Sequence, residues 1–281
     1  MTDGIRQLTL GHSPDSDDAF MFYALASGKI PTDDLSYEHV LKDIQTLNEW
    51  ATEGRLDTTA ISVHAYAYVA DKYAILNHGA SMGDRDYGPM VVARRKVNPH
   101  ELRGVPIAVP GLMTSAYLGL RLCVGDFTPV VMPFDTIMEA VAGGKIQYGL
   151  LIHEGQLTHE AHGLSSIVNL GAWWYEETGL PLPLGVNAIR RSLPEVVKTL
   201  ASRHLRESIE YGLAHRAEAL DWALQYSRGM KKETADTFVG MYVNERTVDL
   251  GPDGRASIEH FLQRAEDAAL IPALPTIDFV M

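Results

Sequence analysis

Chemistry-bearing residues crowd into positions 149–162, GLLIHEGQLTHEAH, where His153 and Glu154 follow an apolar run and His159 and His162 come close behind. A short continuous apolar run is the pattern of a strand buried on both faces of a parallel sheet. At the carboxyl end of such a strand the chain opens into a crevice between loops, the usual ligand position in open α/β sheets. His153 therefore belongs at the mouth of a cleft, where a neutral imidazole can remove a proton near neutral pH. Histidines in such a loop otherwise stay solvated or hydrogen-bond the loop itself. The spacing of His153, His159 and His162 fits no common metal site, and the chain has neither CxxC nor HExxH. No metal site is expected.

Other polar residues stand where strands give way to helices. Residues 13–18, SPDSDD, follow the strand-like Leu8-Thr9-Leu10 and precede a helical stretch over 19–26. They read as a turn full of helix-capping residues, with Asp18 a candidate for orienting a polar ligand group. Ser62 closes the run LDTTAIS and either caps the next helix or reaches a ligand. Thr114 and Ser115 fall in the first turn of a helix after PGLM, where hydroxyls and free N–H groups point into whatever lies there. Arg85, in the Gly-rich loop GASMGDRDYG, could fork onto a carboxylate, or simply be solvated. Trp173, Trp174 and Tyr175 either line a ring-shaped ligand or cover a core.

The elements that position these residues form two blocks. Strand-like stretches at 37–41, 56–62, 73–76 and 90–93 alternate with helical spacing at 44–51 and 63–70. After the polar connector ARRKVNPHELRG come strands at 105–109, 130–132 and 148–152, a helix at 136–142 capped by Asp135, and a strand at 166–170. A strand at 184–189 leads back to the first block. The remainder is helical, over 193–211, 216–227, 234–242 and 257–269, with GPDG at 251–254 as a turn. Nothing in this last third points to chemistry. The expectation is an α/β protein of two lobes with a cleft between them: 1–94 plus 188–281 as the large lobe with the C-terminal helices, 95–187 as the small one.

Composition narrows the partners. The chain has 281 residues, 46% hydrophobic and 21% charged, enough for one large or two ordinary domains. A net charge of −12 spread along the chain speaks against nucleic acid and anionic membranes. The start, MTDGIRQLTLGHS, carries no signal-peptide pattern, and no apolar run has membrane-spanning length. A single Cys123, inside a helical pattern, allows no intrachain disulfide. These features predict a cytoplasmic protein acting on a small molecule, and they leave a homodimer open.

Six segments, SPDSDDAFMFYAL, TLNEWATEGRLDTTAIS, AVPGLMTSAYL, GLLIHE, LGAWWYEETGLPLPLG and MYVNERTVDLG, spread over nearly the whole chain. In that order they resemble the 1,4-dihydroxy-6-naphthoate synthase family of the futalosine route to menaquinone. The resemblance implies a type II periplasmic-binding-protein-like fold and a cofactor-free lyase. Its reaction would convert cyclic dehypoxanthine futalosine to 1,4-dihydroxy-6-naphthoate and dihydroxyacetone. It places the base on His153 and substrate contacts on Ala60, Ile61, Ser62, Thr114 and Ser115. Two positions depart from the family pattern: Ser16-Asp17-Asp18 replaces a Pro-Asn-Asp run, and Ala60 stands where a lysine is common. Arg85, His64 or backbone N–H groups are then the candidates for a substrate carboxylate. The related chorismate dehydratase and a non-catalytic binding protein are the alternative readings.

A histidine base must be unprotonated to act. Turnover is therefore expected to rise with pH through a group near the ordinary imidazole value of about 6.5, and a pH–rate profile flat across that range would contradict the assignment.

Overall fold

The computed structural model describes residues 5–227 and 229–281. Residues 1–4, the start of the segment read as lacking an export signal, lie outside the described residues. The strands are β1 Arg6–His12, β2 Leu35–Leu41, β3 Thr58–Ser62, β4 Tyr73–Leu76, β5 Ser81–Gly83, β6 Met90–Ala93, β7 Pro106–Val109, β8 Thr128–Val131, β9 Tyr148–Leu151, β10 Ser165–Asn169, β11 Leu182–Arg190 and β12 Phe279–Val280. The helices are α1 Ser16–Met21, α2 Tyr23–Ala26, α3 Ile44–Glu53, α4 Val63–Val69, α5 Ser115–Val124, α6 Phe134–Ala142, α7 Gly155–Thr158, α8 Leu170–Thr178, α9 Glu195–Ala214, α10 Arg216–Ala223, α11 Lys232–Tyr242, α12 Glu245–Val248 and α13 Gly251–Asp267.

Two sheets organise the chain. The first runs β12-β4-β11-β3-β1-β2, with β5 also pairing to β11, and the second runs β10-β6-β9-β7-β8. Strand β9 (YGLL) is buried at every position, which is why it reads as an unbroken apolar run. It is hydrogen-bonded on one side to parallel β7 and on the other to antiparallel β6. Its carboxyl end therefore opens at the same edge as the loop from β7 to α5.

The sheets exchange chain at two crossings, 84–89 and 170–181, because β6 already belongs to the second sheet and β11 to the first from Leu182 onward. By sheet membership the lobes divide there rather than at 94/95 and 187/188. The two crossing segments touch at glycines. Leu170 N–H donates to Pro89 O at 2.8 Å, and a Cβ on Gly171 would lie 2.1 Å from Tyr87 O. Only a residue without a side chain lets the strands cross so closely.

Burial joins the lobes. One apolar cluster runs from Ile61, Val186 and Ala188 of the first sheet through Leu118, Trp174 and Phe261 to Val91, Ile107 and Leu150 of the second. Trp174 is wholly buried in it, its Nε1–H donating to Ser257 Oγ at 3.0 Å, so the aromatic segment after Leu170 covers core. A second cluster packs α1 and α2 under α9, α10 and α11. The helical C-terminal third thus braces the first loop.

Several sequence expectations change in detail. The stretch 19–26 is two short helices beginning at Ser16, with Asp15 as the N-cap and a break at Phe22. Helix α6 starts after Pro133 without a side-chain cap, so Asp135 lies in its first turn instead of capping it. GPDG at 251–254 is the first turn of α13, because Pro252 is well tolerated there and continues into helical spacing. Strands β5 and β12 are three and two residues long, too short to leave a period.

Gly171→Ala should destabilise the protein by roughly 1–3 kcal/mol through overpacking at the crossing. Thermal unfolding checks it: an unchanged melting temperature would mean that the crossing is not tightly packed.

Candidate active site

A cleft of about 110 Å³ lies between the sheets and is lined by both lobes. The first loop, the ends of β3 and β11, the start of α5 and the end of β9 all contribute to its wall.

His153 stands at its centre. Its backbone is left-handed (φ 53°), a conformation that a non-glycine residue adopts only under constraint. That turn carries the ring away from β9 into the cleft, where Phe134 packs edge-on at 4.8 Å between ring centroids. Its Nδ1 lies 3.1 Å from Asp15 Oδ2, an almost fully buried carboxylate of the opposite lobe.

The first loop is tied to itself. Asp15 accepts from Asp18 N–H at 3.4 Å, and Asp18 Oδ2 accepts from Ser13 N–H at 2.7 Å. Three buried carboxyls within four residues cannot all ionise. Burial first, then the charge of Asp18, pushes Asp15 up to about 7. Burial and the charge of Asp17 push Asp18 up to about 8. Burial and Asp15 raise Asp17 well above the carboxylate range, so Asp17 is the member that keeps a proton and shares it with Asp15. Its Oδ1 is buried without a hydrogen-bond partner. Asp15, Asp17 and His153 offer ligand atoms within 4.8 Å of one another, two carboxylates and an imidazole that a divalent transition cation would accept. Linear spacing hid this trio, since its members come from two loops.

The serine and threonine hydroxyls have structural partners. Ser62 donates its N–H to Asn48 Oδ1 (2.8 Å) and accepts from Asn48 Nδ2 at Oγ (3.0 Å), without capping α4. Its own hydroxyl proton has no acceptor among the described residues. Thr114 Oγ1 donates to Gly111 O and caps Tyr117 N–H. Ser115 Oγ donates to Leu184 O and accepts from His64 N–H. What Thr114 and Ser115 present to the cleft is therefore the N-terminal turn of α5, with the backbone N–H groups of Ser115 and Ala116.

Other candidates fall differently. Asp18 and Ala60 line the cleft, whereas Ile61 points into the core, as alternation along β3 requires. Arg85 stacks over Tyr175 at 4.6 Å and is not in the cleft wall. His64 sits behind Thr114, its Nδ1 3.3 Å from Thr114 O, pushed down to about 4 by burial. His159 and His162 bond carbonyls of their own turn. Asp15 and Asp17, within the loop 13–18, line the cleft, as do Asn187, Gln156, Phe238 and Tyr242, which the sequence reading did not single out. The last two correct the reading of the C-terminal third as pure buttress. Tyr242 O–H donates to Gln156 Oε1 at 2.8 Å, tying α11 to the turn that follows His153. Only the aspartates carried a signal, as polar residues packed at a strand–helix junction.

Comparisons with known proteins show the family and the fold. A family model described as "Menaquinone biosynthesis" matches residues 8–267. The chain is 41% identical over 273 residues to a 1,4-dihydroxy-6-naphthoate synthase of Thermus thermophilus, covering 97% of this chain and 99% of that one. It is 37% identical to the protein of that name from Streptomyces coelicolor, covering 95% of each. Among solved structures, a protein from Archaeoglobus fulgidus superposes with a TM-score of 0.91 at 47% identity, over 94% of this chain and 98% of that one. An alkanesulfonate-binding protein from Xanthomonas axonopodis shares the fold at 14% identity and a TM-score of 0.72, over 98% of each chain. The fold is periplasmic-binding-protein-like.

The buried carboxyls make stability depend on pH. Asp15 and Asp18, raised from 3.8, contribute stability that is present below about 4 and lost as pH rises through about 7 and about 8. His12 and His64, lowered by burial to about 3 and about 4, act oppositely, their contribution being lost as pH falls below 6.5. Above 6.5 the raised carboxyls still change, so the melting temperature should fall between pH 6.5 and about 8.5, and Asp18→Asn should flatten that slope. A melting temperature rising over this window would contradict the shared-proton cluster.

Proposed function

Because the chain belongs to the menaquinone-biosynthesis family that holds the 1,4-dihydroxy-6-naphthoate synthases, we propose that it is a carbon–carbon lyase of that pathway. Its substrate would be cyclic dehypoxanthine futalosine, its products 1,4-dihydroxy-6-naphthoate and dihydroxyacetone, and its base His153. Action in the cytoplasm, without a cofactor, is part of the same reading.

The observation that carries it is the contact of His153 Nδ1 with buried Asp15 Oδ2 at 3.1 Å in a cleft lined by both lobes. A carboxylate accepting from Nδ1–H fixes the tautomer whose lone pair is on Nε2, and it stabilises the imidazolium that forms when a proton is taken. The base removes a proton from the sugar-derived part of the substrate. The electron pair released then breaks the bonds to the future naphthoate ring, and aromatisation drives the products apart. A proton returned from His153 completes the cycle. The walls around the ring are apolar where Phe134 and Ile152 lie, which keeps water from the developing charge.

The donor side of the cleft suits the substrate carboxylate. The first turn of α5 supplies N–H groups and the positive end of a helix dipole, and the Ser62 hydroxyl proton adds another donor. With Ala60 in place of a lysine, backbone donors take over the anion. A protein that only binds would have little use for a carboxylate buried against the imidazole, which supports chemistry over transport.

Incubation with cyclic dehypoxanthine futalosine should yield naphthoate with the wild type. His153→Ala and His153→Asn should stay folded and bind the substrate while turnover falls about 10²–10⁴-fold. Retained turnover in a folded His153 variant would remove the base assignment. Chelation should leave the wild-type rate unchanged; a loss restored by added divalent cation would reassign Asp15, Asp17 and His153 as metal ligands.

A further inference from the structure

Two buried acceptors in the cleft wall have no donor among the described residues. Asp17 Oδ1 and Asn187 Oδ1 are both without a hydrogen-bond partner, in side chains that are 7% and 1% exposed, and both residues line the cleft. The assignment for Asn187 is secure in orientation, because its Nδ2 donates to Gly79 O at 2.9 Å. Flipping the amide would set two oxygens against each other. The position of Gly79 is part of the arrangement: its φ is +79°, and a Cβ there would fall 2.4 Å from Asn187 Nδ2.

The two acceptors face the same region. Asp17 and Met21 are four residues apart on α1, hence on one face of the helix. Met21 Sδ lies 3.8 Å from Asn187 Nδ2, which brings that face against β11. Along the strand pair, Asn187 is in register with Ala60, and Gly185 with Ser62. Asn187 therefore stands two residues along the strand pair from Ser62, which contributes a donor.

A buried acceptor left unpaired costs about 1–3 kcal/mol, so its persistence in a ligand cleft marks a place where a ligand supplies the donor. Ordinary donors on a small molecule are hydroxyls or amines. An amine would bring a positive charge to the neighbouring carboxylates and also to His153, which must take a proton, whereas hydroxyls bring none. We propose that Asp17 Oδ1 and Asn187 Oδ1 are a hydroxyl-reading pair that grips the polyol part of the substrate and orients it toward His153. This rests on the reading above that the substrate has a sugar-derived half. The cleft is then sorted by polarity: donors at Ser62 and the start of α5 for an anion, acceptors at Asp17 and Asn187 for hydroxyls.

The test uses the full chain carrying His153→Asn, so that ligands bind without turning over. The probes are cyclic dehypoxanthine futalosine and its analogue with one hydroxyl of the sugar-derived part replaced by hydrogen, followed by calorimetry. The analogue should bind at least about tenfold more weakly than the parent. In the same background Asp17→Ala should bind parent and analogue equally, with a melting temperature no lower than its reference. If Asp17→Ala does not fold, the comparison of the two ligands decides alone.

Equal binding of parent and analogue, with the parent still turned over by the wild type, would overturn the acceptor pair and leave the lyase reading intact. If the parent is neither bound nor turned over, the substrate reading fails, and methyl β-ribofuranoside, a bare furanose whose 2- and 3-hydroxyls form a cis diol, decides the pair by itself. Binding of that diol by the wild type, lost at least tenfold in Asp17→Ala, would uphold the acceptors; no binding would overturn them.

Discussion

The contact between Asp15 and His153 is the constraint on which the rest of the site depends. Its members belong to different sheets, so it exists only while the lobes are closed. A carboxylate taken out of water is expensive unless it is paired and hydrogen-bonded. Asp15 answers this twice, accepting from Asp18 N–H with one oxygen and meeting His153 with the other. The surrounding features hold these two partners at the right height. Asp18 closes the first loop on Ser13, the left-handed backbone of His153 turns its ring inward, and Tyr242 anchors the following turn through Gln156.

Closure has its own framework, made mostly of backbone partners. Asn48, from the first lobe, donates to Met113 O of the second while it holds Ser62 at two points. Ser115 reaches back to Leu184 O beyond the second crossing. Hydroxyls that look like ligand contacts in the sequence are thus largely taken by the fold, and what remains for a ligand is the set of groups those hydroxyls position. The distinction matters for reading variants. Loss of Thr114 or Ser115 would change the cleft through helix start and lobe contact, whereas loss of Ser62 would also remove a donor.

The parts of this arrangement that were legible in the sequence are those governed by local period. The all-buried β9 before His153, the strand–helix junctions at Ser62 and Thr114, and the helical final third follow from apolar spacing alone. Partnership was not legible, because residues 15 and 153 are brought together by sheet order, which no local pattern encodes. The same reason hid Asn187, one polar residue in an apolar strand, and Tyr242, one aromatic on a helix face. Lobe boundaries slipped because β6 is as apolar as the first-sheet strands before it, and only its pairing with β9 and β10 reveals its sheet.

Resemblance and geometry also inform each other at the positions that depart from the family pattern. Asp17, where the resemblance implies an asparagine, puts a third carboxyl beside Asp15 and Asp18, and burial with the charge of Asp15 keeps a proton on Asp17. A protonated Asp17 resembles the asparagine it replaces, since each offers one oxygen to accept and a hydrogen to donate. The substitution therefore preserves the hydrogen-bonding shape of the loop while linking it to pH.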